Sequence, residues 1–249
     1  MCGRFFLSTL SEDMARFFHA RTLYRAGAPS AADPHNPHNP TRARFNIAPT
    51  QQVVIVRQRA EERELACARW GLVPPWASDL SVGSRMINAR SETAAGKPAF
   101  RDSVRHRRCL VPADGFYEWR KSAKAKRPMA IRRADRAPLA MAGLWERWED
   151  PSATGTTENT IETCTVLTCA PNELMASIHD RMPVILEPEA WGRWLDPGLT
   201  DADQIAPLMA PAAEGVLEAY PVSTRVNSPT NQGPGLIEPV EDEPETLFG

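Results

Sequence analysis

Short runs of β-branched and aromatic residues, each closed by Gly, Pro, Asn or Asp, recur from Val53 to Val222, and this alternation constrains the fold more than any other feature. Val53-Val-Ile-Val56 reads as a strand, with Glu64 to Trp70 as its hairpin partner. Cys109-Leu-Val-Pro112 reads as a buried strand entering the turn Ala113-Asp-Gly115, and the strand that follows carries Glu118. Met129-Ala-Ile131, Leu139 to Trp145, Ile161 to Cys169 and Val216 to Val222 continue the pattern. Such a succession of short strands predicts an α+β fold: a β-rich barrel-like or two-sheet core with peripheral helices.

The helices are few. Thr9-Leu-Ser-Glu12 has the form of a capping box, and Met14, Phe17 and Phe18 follow it at helical spacing. Pro171 to Ile178 reads as a helix that delivers His179 at its end, and Glu189 to Trp194 as a second amphipathic turn or helix. Trp70-Gly-Leu-Val-Pro-Pro-Trp76 cannot be helical inside, so it predicts a rigid aromatic loop. Residues 27–43, 149–160 and the basic stretch Lys121 to Arg127 read as loops. His35 and His38 lie in the first of these without a third ligand and read as surface residues; no metal and no cofactor is expected. One domain is expected over residues 1–227, with 228–249 a flexible acidic tail, disordered from Glu238 onward.

With 249 residues, 42% of them hydrophobic, the chain can build a real core. The five cysteines (Cys2, Cys67, Cys109, Cys164, Cys169) are odd in number and form no C-x-x-C pair, and no secretory signal precedes them. Together these point to a reducing cytosol and a cytoplasmic protein. No apolar run approaches the ~20 residues that span a bilayer, which argues against a membrane partner. The net charge of −2 hides an asymmetry: residues 1–150 hold 26 Lys+Arg against 15 Asp+Glu, and residues 151–249 hold 3 against 16. The basic half is a candidate footprint for a polyanion, unless folding interleaves the two halves.

Cys2 is the second residue of the chain. If the initiator methionine is trimmed, it carries a free α-amine beside its thiol, and the two can close a five-membered ring on one aldehyde carbon. Amine and thiol titrate near ~8 and ~8.5, so a useful fraction of each is nucleophilic at neutral pH. Taken alone, Met-Cys-Gly-Arg is equally an ordinary terminus with a small hydrophobe at position 2.

Six blocks, Met1-Cys-Gly-Arg-Phe5, Asn46-Ile-Ala-Pro49, Trp70 to Trp76, Ile87-Asn-Ala-Arg-Ser-Glu92, Gly115-Phe-Tyr-Glu-Trp119 and Ile178-His-Asp-Arg-Met-Pro183, together resemble the SOS response-associated peptidase (SRAP) family. Val222 to Asn227 resembles the family's late strand. The resemblance implies binding of single-stranded DNA and a covalent crosslink to abasic sites, by a monomer that gathers at the nucleoid during DNA damage. It places the catalytic residues on Cys2, Asn88, Glu118 and His179, and DNA contacts on Arg4 and Arg90. Trp76 and Trp119 add aromatic faces suited to stacking on unpaired bases, and Arg105 and Arg108, from the run Arg101 to Arg108, add candidate phosphate contacts.

The chemistry of these side chains fits that implication. An open abasic deoxyribose exposes an aldehyde; the Cys2 amine gives an imine, and the thiol then closes a thiazolidine. Glu118 and His179 are groups able to move the protons, and Asn88 a neutral donor and acceptor able to hold the amine or the sugar. Two other classes use the same residues: an amino-terminal-nucleophile cysteine peptidase, which in its minimal form removes Met1, and a non-covalent single-stranded DNA binding module. The acidic tail is a possible competitor of DNA for the basic face.

Overall fold

The computed structural model describes residues 2–22, 42–121, 126–152 and 159–241. Among the described residues thirteen strands run in chain order: β1 (Phe5–Leu7), β2 (Ala20–Thr22), β3 (Arg44–Ile47), β4 (Gln52–Arg59), β5 (Glu62–Trp70), β6 (Asn88–Arg90), β7 (Arg108–Ala113), β8 (Gly115–Lys121), β9 (Lys126–Arg133), β10 (Leu139–Glu149), β11 (Thr160–Cys169), β12 (Met182–Pro183) and β13 (Leu217–Pro221).

Five of them close into a barrel. β11 pairs β10, β10 pairs β7, β7 pairs β4 and β4 pairs β5, all antiparallel. β5 then returns parallel to β11 through Thr163↔Arg69 and Cys164↔Trp70. The interior is narrow: a Cβ at Gly143 of β10 would lie 2.9 Å from a Val111 methyl and 3.0 Å from the Cys109 sulfur. Only glycine fits there. Ile55, Val56, Leu65, Leu110 and Leu144 are fully buried in this core, and each contributes about 1.5–3 kcal/mol relative to exposure.

The second layer is an antiparallel sheet in the order β13-β9-β8-β1-β3. β1 is an inner strand, flanked by β8 through Phe5↔Phe116 and by the edge strand β3 through Phe5↔Ile47. The Phe5 ring meets the Trp70 ring edge-on at 5.1 Å, so the amino-terminal strand is fastened to the end of β5 in the barrel. Trp70 Nε1 in turn donates to the Ile87 carbonyl just before β6. The short strands and the aromatic loop after Trp70 therefore stand as read from the sequence, and the fold is α+β around a closed barrel.

Several local readings change. The capping box does not form: the Thr9 hydroxyl and amide both go to Asp114, as do those of Ser8. A carboxylate from the β7–β8 turn thus takes these donors, and the helix Ser11–Phe17 starts from Leu10 without a side-chain cap. The helix expected over 171–178 shrinks to Glu173–Ala176, capped by Asn172, which accepts from the Met175 amide. Thr224–Asn227 is a 3-10 turn rather than a strand.

The domain also runs past Asn227. Leu236 is 1% exposed, Val222 bridges Pro239, the Val240 amide donates to the Pro221 carbonyl, and Arg127 donates to the Glu241 carbonyl. Residues 228–241 thus pack on the second sheet, because apolar residues punctuate a stretch whose composition reads as tail. The charge halves interleave: Arg57 pairs with Glu162, Arg133 with Glu187, and Arg132 and Arg136 with Glu218. Most of the loop read over 27–43, the turn at 122–125, residues 153–158 and the tail beyond Glu241 lie outside the described residues, as do His35 and His38.

Candidate active site at the amino terminus

Because β1 pairs with β8, the residues ahead of it run along β8. The Tyr117 amide donates to the Arg4 carbonyl at 2.9 Å, which brings the next β8 residue, Glu118, to the Cys2 region. Cys2 is fully buried and Glu118 is 3% exposed. The Cys2 thiol is pushed up to about 12, first by burial and then by the negative charge of Glu118; the chain's amino terminus and the Arg4 backbone N–H pull the other way.

Asn88 meets Cys2 from the barrel side. β6 lies parallel to β11, with Val166↔Asn88 and Thr168↔Arg90 in register. From there the Asn88 side-chain amide donates to the Cys2 carbonyl at 2.8 Å. Its Oδ1 is buried and has no hydrogen-bond partner among the described residues, an acceptor of the kind a free amine or a ligand hydroxyl would satisfy.

His179 reaches the far end of the same strand. Arg181 makes a bidentate pair with Glu92 at 2.7 and 2.8 Å and donates to the Thr168 carbonyl, which fastens the His179 segment two residues beyond Arg90. His179 Nδ1 accepts the Arg181 backbone N–H at 3.1 Å and also lies 2.8 Å from an Asp180 oxygen. These contacts demand opposite ring states, since an acceptor Nδ1 carries no proton. The Asp180 side chain is 88% exposed and well solvated, so the backbone contact dominates and leaves the proton on Nε2.

The outer residues divide. Arg4 Nη1 donates to Asn46 Oδ1 at 2.7 Å and to the Val226 carbonyl at 3.0 Å, and its guanidinium lies 5.8 Å from the Trp119 ring centre. Arg90 is exposed beside Glu92, and Trp76 is 67% exposed at the end of the aromatic loop, whereas Trp70 at its start is buried. Arg105 is exposed on the helix Arg101–His106; among the described residues no hydrogen bond or ion pair links it to the Cys2 group.

Arg108 does not serve as a phosphate contact. It is 5% exposed, and its guanidinium donates to the carbonyls of Val104, Arg105, Trp194 and Asp196. Burial holds it down at about 10. In sequence it is one arginine of a run; in space it is the pin that joins a helix end to β7.

Two asparagines escaped the sequence reading. Asn46 is fully buried; its Oδ1 receives Arg4, and its Nδ2 donates to the carbonyls of Val226, Ser228 and Asn231. Asn227 Oδ1 accepts the Trp119 indole N–H at 2.8 Å. The blocks Asn46 to Pro49 and Val222 to Asn227 contain both residues, but only the folded chain brings them together.

Among the described residues no group of three or more His, Cys, Asp or Glu side chains is arranged to hold a metal ion, and no helix is long and apolar enough to cross a membrane.

Residues 1–229 match the family described as SOS response associated peptidase (SRAP). The chain is 41% identical over 239 residues to the abasic site processing protein YoqW of Bacillus subtilis, covering 96% of this chain and 99% of that protein. It is 33% identical to the abasic site processing protein YedK of Escherichia coli, covering 96% and 100%. A crystal structure of a protein from Bacteroides thetaiotaomicron superposes with a TM-score of 0.79 at 25% identity, covering 96% of this chain and all of that one.

Proposed function

The chain belongs to the SRAP family, and from that premise we propose that it processes abasic sites in DNA by closing a thiazolidine between Cys2, freed of Met1, and the sugar aldehyde. The observation that carries this reading is the hydrogen bond from Asn88 to the Cys2 carbonyl. It holds the residue that would bear both nucleophiles through the Asn88 donor and leaves the Asn88 acceptor, Oδ1, to orient the amine.

The order of steps follows from the thiol. Burial and the charge of Glu118 both raise the Cys2 thiol above its ordinary range, which favours the amine as the leading nucleophile. It adds to C1′, one of its protons passes to the oxygen, and water departs with the second N–H proton to leave a neutral imine. The thiol then adds: its proton goes to Glu118, sulfur bonds to C1′, the C=N electrons return to nitrogen, and Glu118 returns the proton there. One water leaves overall. In this reading His179 donates to the ring oxygen as the sugar opens. A peptidase that leads with this thiol would need the rare thiolate first, which disfavours that reading.

Arg4, Arg90 and Arg105 are the phosphate contacts in this reading, with Trp76 and Trp119 as stacking faces for unpaired bases; the partner is single-stranded DNA, bound by a cytoplasmic monomer. The test is a denaturing gel after mixing the protein, shown by intact mass to lack Met1, with a single-stranded oligonucleotide carrying one abasic site. A denaturant-stable adduct is expected. No adduct under those conditions would sink the covalent route, and an equally stable adduct from Cys2→Ser would sink the role of the thiol.

A further inference from the structure

We propose that Asn227 is a positioning residue for DNA binding, one that sets the plane of the Trp119 indole and through it the stacking face beside Cys2. The inference rests on the reading of Trp119 as a base-stacking face.

A tryptophan with one exposed edge can rotate about two bonds, and a platform that rotates loses part of its contact with a base. Trp119 is held at both ends. Its N–H goes to Asn227 Oδ1 at 2.8 Å, and the Arg4 guanidinium lies 5.8 Å from its ring centre. Asn227 is itself exposed and closes a 3-10 turn. That turn is set by buried groups: Arg4 donates to the Val226 carbonyl, and Asn46 donates to the carbonyls of Val226, Ser228 and Asn231. The Asn231 side chain donates back to the Arg225 carbonyl at 2.7 Å. A segment more than 100 residues away in sequence is therefore clamped so that one side-chain oxygen meets the indole N–H. The Asn227 oxygen lies at the surface and adds no core packing, so the observation points to orientation of the ring.

The test measures crosslinking rate against concentration of an abasic single-stranded oligonucleotide, for the whole chain and for Asn227→Ala, Trp119→Phe, the double variant and Trp119→Ala. Trp119→Phe keeps a stacking ring and deletes the N–H. Asn227→Ala is expected to raise the half-saturating DNA concentration about fivefold, the size of one net hydrogen bond, with the maximal rate unchanged. In the Trp119→Phe background Asn227→Ala should add nothing further, because the shared bond is already gone. A merely structural Asn227 would lower thermal stability and leave the concentration dependence alone, and independent effects in the double variant would equally overturn the proposal. If Trp119→Ala leaves DNA affinity unchanged, the stacking face itself is wrong; if Trp119→Ala weakens binding and Asn227→Ala does not, only the positioning role fails.

Discussion

The side-chain amide of Asn88 and the backbone carbonyl of Cys2 are 2.8 Å apart, donor to acceptor, although 86 residues separate them in sequence. The bond ties β6, which pairs with the barrel strand β11, to the segment that leads into β1 of the second sheet. Breaking it should loosen the geometry of the reaction before it loosens the fold. Asn88→Ala is expected to slow single-turnover crosslinking about tenfold, as the loss of one buried hydrogen bond and its alignment would do, with a thermal midpoint within a few degrees of the parent. Gel quantification against time checks the rate and calorimetry the midpoint.

Glu118 should act in opposite directions on two measurements. Its charge raises the Cys2 thiol, so Glu118→Gln removes a repulsive neighbour and the thiol should titrate lower. It also removes the proton carrier, so crosslinking should slow by about 10²-fold. A thiolate absorbance titration compared with that of a Cys2→Ala control follows the first effect. A faster crosslink in Glu118→Gln would mean that thiol ionisation, and not proton transfer, limits the reaction.

Stability should fall in alkali. The thiols of Cys2 and Cys67 are raised to about 12 and that of Cys169 to about 11, from an ordinary 9.0, mainly by burial. Below pH 9 both folded and unfolded chains keep these protons. Above it only the unfolded chain releases them, so stability is lost as pH rises toward 11–12, by at most about 1.4 kcal/mol per pH unit for each thiol. Urea midpoints at pH 8 and 10.5 should differ in that direction, and Cys2→Ala should reduce the difference.

Arg108 and Arg90 provide a contrast. Arg108→Met removes the donors to four carbonyls in the interior and should destabilise by about 3 kcal/mol or more. In the folded fraction the salt dependence of DNA binding should be unchanged. Arg90→Ala, at an exposed position, should leave stability within about 0.5 kcal/mol and reduce the slope of log K against log salt by about 1. Swapped outcomes would reverse the assignment.

Truncation must respect the packed end of the chain. Removing residues 228–249 would strip Leu236 and the bridge from Val222 to Pro239, and is expected to destabilise the second sheet. Ending at Glu241 keeps both and removes the acidic Asp242, Glu243 and Glu245. If that tail competes with DNA, the shorter chain should bind more tightly at low salt, with the gain vanishing as salt rises. Equal binding at all salt concentrations rules the competition out.

Much of the architecture was legible in the residue pattern because short β-branched runs and their turn residues act locally, as in Val53 to Val56 and Ala113 to Gly115. Local rules failed where a distant group won. Asp114 drew Thr9 away from a helix cap, and carbonyls of a helix end drew Arg108 away from solvent. Cys2, Asn88, Glu118 and His179 stand out as types able to do the chemistry; the fold adds a hydrogen bond from Asn88 to Cys2 and the charge of Glu118 acting on its thiol. Asn46 and Asn227 offered no such signal, since a lone asparagine in a turn-rich stretch has an ordinary local use.

The inner place of β1, between two strands made later, has a consequence for timing. Its neighbours on either side begin at Arg44 and Gly115, so the sheet that buries Cys2 is incomplete until more than a hundred residues have been synthesised. At about 5–20 residues per second, the amino terminus stays open on a nascent chain for roughly 6–24 s before β8 has been made. An external aminopeptidase needs that exposed terminus to reach Met1. An enzyme of that kind has its widest access during this interval, before β8 pairs with β1.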